Sequence, residues 1–353
     1  MSAEWRLLND DIHEARHHFA VEEALARLVD EGHTPPTLRL RQVYPAVFVG
    51  VHQNTWSEVD VEYCQAHNIQ IVRRMNGGGA VYHEMGSFCF SAFFRREMFS
   101  QSDDELYHLF AAPVIRTCSD FGVLAHYEGR NDVLVGKRKI YGSAQFSWYH
   151  AFVQSGTFLI NMNFEAMERA LTPSALKFAG KSASTILERV TSLSLEVGHV
   201  VKTDEVMARF ASNVAEVLGV QFAPGNLTHL EQELASELLA DKYSTDKWNF
   251  GSQLEFQITV ADRSEVGVVS LSAEVEGGII KKVQFNSDLL VGNQQEFEFL
   301  EKSLVGCTIQ EAQVTFEIAF LSTNVKEIIL RLLDKLDQEI TDISSVRRGE
   351  KEL

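Results

Sequence analysis

Two short stretches of this 353-residue chain hold the residue types that chemistry needs. In the first, Arg73-Arg74 precedes Gly77-Gly78-Gly79, which runs on into Ala80-Val81-Tyr82-His83-Glu84. Adjacent glycines let backbone approach a ligand and aim amide N–H groups at an anion where a Cβ would obstruct. Paired guanidinium groups add charge and a planar fork of donors suited to phosphate or carboxylate oxygens. The stretch reads as an anion cradle between strand-like residues 69–72 and 87–94. A P-loop would need a helix and Gly-Lys-Ser/Thr here, and neither is present. A glycine-rich turn is also ordinary hairpin material, so Arg73, Arg74 and His83 carry the reading.

The second stretch covers residues 128–145. Asn131 and Asp132 stand before a strand pattern, where an amide suits a ribose or base edge and a carboxylate suits a hard cation such as magnesium. Lys139 lies just ahead of Gly142-Ser143-Ala144, beside backbone that a ligand can approach, and is placed to bind an anion. With Lys137 and Arg138 it makes a local basic cluster. The competing reading is a solvated hairpin tip with an ordinary basic face.

The rest of the chain must position these groups. Hydrophobic residues at 45% and charged residues at 23% describe an ordinary globular protein, and the length points to two domains. A formal net charge of −17 argues against nucleic acid as the main partner, because phosphate neutralisation needs clustered Lys and Arg. No stretch approaches the length needed to cross a bilayer, and residues 1–6 show no apolar signal core, so no membrane partner and a cytoplasmic location are expected. Cys64, Cys89, Cys118 and Cys307 form no Cys-x-x-Cys pair, which suggests neither a zinc site nor a disulfide framework.

Helical spacing of Phe19, Val21, Ala24, Leu25, Leu28 and Val29 predicts an amphipathic helix that stops at Gly32. Further helices are predicted over 103–120 and 204–218, and Thr228 with Glu231 offers a capping box. Short β-branched runs predict strands at 37–43, 46–51, 69–73, 132–135, 139–145 and 152–160. Beyond residues 242–251 come strand patterns at 254–261, 265–274 and 279–286, then helices near 294–305 and 325–339. Residues 347–353 read as a solvated tail. The pattern is α+β: a mixed sheet with flanking helices, then a small C-terminal α+β module.

Taken together, the motifs resemble the lipoate–protein ligase A family in its two-domain form. The match is carried by Arg73-Arg74-x-x-Gly77-Gly78-Gly79-Ala80-Val81-Tyr82-His83-Glu84-x-Gly86, by Gly129-Arg130-Asn131-Asp132, and by Arg138-Lys139-Ile140-x-Gly142-Ser143-Ala144-Gln145. Phe19-Ala20-Val21-Glu22-Glu23, Gln53-Asn54-x-Trp56, Gly156-Thr157, Arg189-Val190-Thr191 and Lys247-Trp248-Asn249-Phe250-Gly251 extend it over nearly the whole chain. The resemblance implies a biotin/lipoate ligase-like, class II synthetase-related catalytic domain over residues 1–245 and an accessory domain over 246–353. It implies ATP-dependent activation of (R)-lipoate to lipoyl-AMP and transfer to a lysine of an E2 lipoyl domain or a glycine-cleavage H protein. Carried over by position, Arg74, Gly79, Ala80, Val81, Tyr82, Asn131, Asp132 and Lys139 would contact ATP. Lys139, Gly77, Gly78, His83 and Arg73 would contact lipoate, Asp132 would hold Mg2+, and Lys139 would be the catalytic group.

Departures from the commoner family pattern gather near the expected acyl site. Met75 and Tyr141 stand where small polar residues are usual, Ser87 replaces Asn, Ser155 replaces a His, and Leu187-Glu188 replaces a polar and basic pair. An acyl pocket lined by Val72, Met75 and Val81 is expected, although core packing explains those side chains equally well. An octanoyl or lipoyl transferase shares this fold but works through a cysteine thioester, and no cysteine lies between Cys118 and Cys307 to serve it. A non-catalytic relative that only binds lipoate or the acceptor is the other alternative, and biotin ligation is weaker than either.

Overall fold

In the computed structural model the described residues are 4–172, 188–251, 257–264, 267–289, 294–318 and 323–349. The catalytic unit is built on strands β1 (Glu4–Asn9), β2 (Thr37–Arg41), β3 (Ala46–Val49), β4 (Gln70–Arg73), β5 (Val81–His83), β6 (Ser87–Arg95), β7 (His126–Glu128), β8 (Asp132–Val135), β9 (Arg138–Trp148), β10 (Ala151–Leu159) and β11 (Gln221–Gly225). Its main helices are α1 (Ala15–Asp30), α2 (Asp103–Asp120), α3 (Thr203–Leu218) and α4 (His229–Leu238). A mixed eight-stranded sheet runs β11-β1-β2-β6-β10-β9-β8-β7, and a small second sheet runs β4-β3-β5.

Strand β6 explains why both sheet faces are covered. Its sequence Ser-Phe-Cys-Phe-Ser-Ala-Phe-Phe-Arg is buried at every position but the last, as a central strand flanked on two sides must be. Phe88, Phe90, Ala92 and Phe94 pack with Leu106, Phe110 and Val114 of α2 and Phe210 and Val214 of α3. On the opposite face Cys89 and Phe93 pack with Phe19 and neighbouring residues of α1, which α4 covers in turn. The helices expected at 103–120 and 204–218 and the capping box of Thr228 and Glu231 all form. Strands β1 and β11 escaped the sequence reading. Each is short, and they pair parallel to one another from opposite ends of the catalytic unit.

The C-terminal unit pairs β12 (Ile258–Ser264), β13 (Gly267–Glu276) and β14 (Ile279–Ser287) antiparallel. Helices α5 (Gln294–Leu304), α6 (Ile309–Ile318) and α7 (Thr323–Gly349) complete it, and Leu271, Phe285, Leu300, Leu332 and Leu333 belong to its separate core. Of the first strand expected here, Leu254 lies outside the described residues, as do Glu265 of the second, the end of the expected tail, and Leu187. The helical turn Asp246–Asn249, expected to open this unit, instead docks on the catalytic one. Trp248 Nε1 donates to the Arg73 carbonyl at 2.9 Å, and Thr55 Oγ1 donates to the Asn249 carbonyl at 2.7 Å.

Candidate active site

A cleft of about 930 Å³ runs along the α1 side of the main sheet, and residues of both motifs line it. A second groove of about 520 Å³, between Trp56 and Phe250, lies apart from both. The cleft is in the size range of small-molecule sites.

The glycine loop leaves β4 and returns as β5. Gly78 takes a φ of 93°, left-handed backbone that a side chain rarely adopts, so the turn depends on glycine there. Both preceding arginines spend their donors inside the protein, Arg74 on the turn itself and Arg73 on the segments packed beside it. Arg74 is buried; Nη1 donates to the Phe48 carbonyl and Nη2 to the carbonyls of Gly77 and Gly79, all at 2.8 Å. With those carbonyls tied back, Gly79 to Val81 present their other side to the cleft. Arg73 is buried as well, but does not line the cleft. Its Nε donates to the Trp248 carbonyl, its Nη1 to the carbonyls of Gly50, Val51 and Gln53, and its Nη2 to Thr55 Oγ1. Burial pushes both guanidinium pKa values down to about 10, so both stay charged at neutral pH. The Gly78 amide donates to the Leu289 carbonyl of the C-terminal unit at 2.9 Å, and Ser287 N donates to the His52 carbonyl at 2.8 Å beside it.

Lys139 Nζ stands 2.6 Å from Asp132 Oδ1 in the cleft wall. Its backbone bridges to the segment after the undescribed residues: Lys139 N donates to the Arg189 carbonyl at 2.8 Å, and Thr191 N to the Lys139 carbonyl at 2.9 Å. Asn131 is spent on structure, with its side-chain amide and its carbonyl both holding the backbone or hydroxyl of Ser143. Arg138 pairs with Glu196 at 2.6 Å and Arg130 with Asp104 at 2.8 Å; Lys137 also lines the cleft, and Lys139 is the cluster member paired with Asp132.

At the α1 side the cleft wall carries a buried ionic network beside the apolar side chains of Phe19 and Phe48. Glu22 Oε1 accepts from Ser155 Oγ at 2.9 Å, from Arg41 Nη2 at 3.3 Å and from Ser91 Oγ. Arg41 Nε donates to His18 Nδ1 at 2.7 Å, and Arg39 pairs with Asp10 at 2.6 Å. Of the three residues expected to line an acyl pocket, Val81 does so. Val72 belongs to the core around α1, and Met75 Sδ accepts from Lys242 Nζ at 3.1 Å. The ring of Tyr141 lies parallel to Phe90 in the core around α2 and α3, packed over Gly156, where an added Cβ would meet it at 2.4 Å.

His83 is fully buried, stacked on Phe48 with ring centroids 3.9 Å apart, with Nδ1 3.3 Å from Cys89 Sγ. Burial first, then the charges of Arg74 and Arg41, pushes its pKa down to about 3. His18 is shifted the same way by burial and by Arg41 and Arg39. Both folded-state values lie below the free value, so the unfolded chain takes up the extra protons. Stability is therefore full above about pH 6.5 and falls as pH drops through the window below it, by about 1.4 kcal/mol per pH unit for each histidine. Urea unfolding at pH 7, 6 and 5 measures this, and a flat profile would show that the two rings take up protons as readily in the folded protein as in the unfolded chain.

Of the site residues expected from sequence, Arg74, Gly78, Gly79, Ala80, Val81, Tyr82, His83, Asn131, Asp132 and Lys139 line one cleft, while Arg73 and Gly77 do not. The sequence reading assigned no part to His18 or Arg41. The signal was present: Arg39 and Arg41 alternate on one face of a wholly buried strand, and His18 and Glu22 sit four residues apart on the helix opposite.

Residues 14–215 match the family model described as the lipoyl protein ligase A/B catalytic domain, and residues 253–341 that described as the bacterial lipoate protein ligase C-terminus. Lipoate-protein ligase LplJ of Bacillus subtilis is 29% identical over 297 residues, covering 83% of this chain and 87% of that protein. Among solved structures, the bi-partite lipoate protein ligase of Thermoplasma acidophilum, described with its E2 lipoyl domain, is 29% identical with a TM-score of 0.62, covering 73% of this chain and 100% of that one. A lipoate-protein ligase A bound with ATP is 26% identical with a TM-score of 0.61, covering 71% of this chain and 99% of that one. With the catalytic-domain model matching more than half of its length and the C-terminal model most of the rest, the chain belongs to the lipoate–protein ligase family.

Proposed function

We propose that the protein activates (R)-lipoate with ATP to lipoyl-AMP at Lys139 and passes the lipoyl group to a lysine amine of an acceptor domain. The observation that carries this reading is an ammonium, that of Lys139, in the wall of the cleft that also holds the glycine loop. In the first step a lipoate carboxylate oxygen bonds to the α-phosphorus and pyrophosphate leaves. Two anions must approach one another, and a fixed ammonium beside them offsets their repulsion and the charge growing on the transferring oxygens. Amides of Gly79 to Val81 would cradle phosphate, with the loop held by Arg74. In the second step a neutral acceptor amine attacks the acyl carbonyl and AMP leaves, with no covalent link to the enzyme.

Among the described residues no cluster of three or more metal-ligating side chains exists, but Asp132 offers one carboxylate. That suits magnesium, which binds through one or two carboxylates together with substrate phosphates. Asp132 would hold the ion, which would neutralise phosphate charge. The acceptor is an E2 lipoyl domain or a glycine-cleavage H protein; the archaeal relative with its E2 lipoyl domain supports the first. No described helix is long and apolar enough to cross a membrane. A cytoplasmic site of action belongs to the same proposal, because both substrates of the first step are small water-borne anions.

A thiol mechanism would have to use Cys89, which lines the cleft beside His83. Burial pushes that thiol up to about 11, so the thiolate such chemistry requires is scarce at neutral pH. The deciding experiment is magnesium-dependent pyrophosphate release from ATP without acceptor, in parallel with lipoate, octanoate and biotin, on the wild type and Cys89→Ala. Release with lipoate, retained in Cys89→Ala, is expected. No release with any acid, or loss of release in the variant alone, would move the protein to the transferase or the binding-only reading.

A further inference from the structure

Lys139 and Gly142 are three residues apart on β9, and in a regular strand such residues point to opposite faces of the sheet. Here they share one face. Strand β8 pairs Val133 with Tyr141 and Leu134 with Lys139, so Ile140 is an extra residue on β9 with no partner opposite it. A bulge of this kind re-aims the side chains beyond it. The Lys139 side chain consequently lies across Gly142: a Cβ built on Gly142 would stand 2.5 Å from both Cε and Nζ of Lys139, and 3.4 Å from Asp132 Oδ1. The backbone of Gly142 has an ordinary φ, so glycine is required there for space and not for conformation.

We propose that Gly142 is a positioning residue for Lys139: its missing side chain is the floor on which the catalytic ammonium rests, and Asp132 is the wall that holds it there. The inference rests on the reading of Lys139 as the catalytic group, but the seat itself is a structural claim that can fail separately. Any side chain at 142 must push aside the end of Lys139, a flexible group that moves at little cost to the fold. Gly156 makes the contrast, because a Cβ there meets the rings of Tyr141 and Phe90 in the core.

The test compares wild type, Gly142→Ala, Lys139→Ala and the double variant. In Gly142→Ala, thermal unfolding is expected within a few degrees of wild type. Lys139, no longer seated against Asp132, is expected to be acetylated several-fold faster by a small anhydride, read by peptide mass spectrometry. Lipoate-dependent pyrophosphate release is expected to fall about 100-fold, the scale of loss when a reacting group is displaced by about an ångström. Because Gly142 acts through Lys139, the alanine at 142 should not weaken lipoate binding further in the Lys139→Ala background. An unchanged labelling rate in Gly142→Ala overturns the seat whatever the activity. Faster labelling in a protein that shows no pyrophosphate release even as wild type would uphold the seat and overturn the ligase reading instead.

Discussion

Lys139→Ala is expected to lower lipoate-dependent pyrophosphate release by about 1,000-fold and to leave the fold intact. The size follows from what the ammonium does. A preorganised charge at the position where charge develops contributes about 10²- to 10³-fold in mutational series, and here one group serves both the entering carboxylate and the phosphate. The stability cost is small, because the side chains of Lys139 and Asp132 are 36% and 33% exposed, and ion pairs at such sites contribute about 0–1 kcal/mol. The assay is pyrophosphate release at saturating ATP and lipoate, with circular dichroism to verify folding. A variant that released pyrophosphate at the wild-type rate would remove Lys139 from the mechanism.

Glu22→Ala carries the largest expected loss of stability. The carboxylate is almost wholly buried, as is Arg41, and Glu22 also receives Ser91 and Ser155. Burial works against the Arg41 charge and Glu22 opposes that effect, so deleting the carboxylate leaves a guanidinium only 2% exposed without its counter-charge. Breaking one side of a buried pair costs about 3–5 kcal/mol, a large part of the 5–15 kcal/mol that holds a typical domain together. The double variant Glu22→Met with Arg41→Met removes both charges and is expected to recover most of that loss. Urea denaturation of the three proteins measures it. A Glu22→Ala midpoint equal to wild type would mean that water reaches Arg41 and that this end of the cleft is open.

Much of this molecule is readable residue by residue. The period-3.6 stripe of α1, the boundaries of α2, the capping box of Thr228 and Glu231 and the position of the glycine loop all follow from interactions within a few residues, where side-chain type and backbone conformation are directly coupled. The order of the motifs was likewise enough to identify the family. Arg73 and Arg74 show where such reading ends. A guanidinium before a glycine triplet has the chemistry of an anion receptor, yet beyond the nearby carbonyls of Gly77 and Gly79 both spend their donors on carbonyls of Phe48, Gly50, Gln53 and Trp248, groups that only the folded chain brings within reach.

The same division holds at the cleft. That Lys139, Gly142 and Asp132 belong together is written in one short motif, because residue types and spacing are local properties. Which face Lys139 occupies is not, since strand alternation sets it opposite Gly142 and a bulge created by pairing with β8 brings it back. The polar wall of Glu22, Arg41, Ser91 and Ser155 joins α1, β2, β6 and β10, elements up to 133 residues apart in the chain. Charges at such positions are tolerated only when each finds its partner in three dimensions, and no pattern along the chain says that they will.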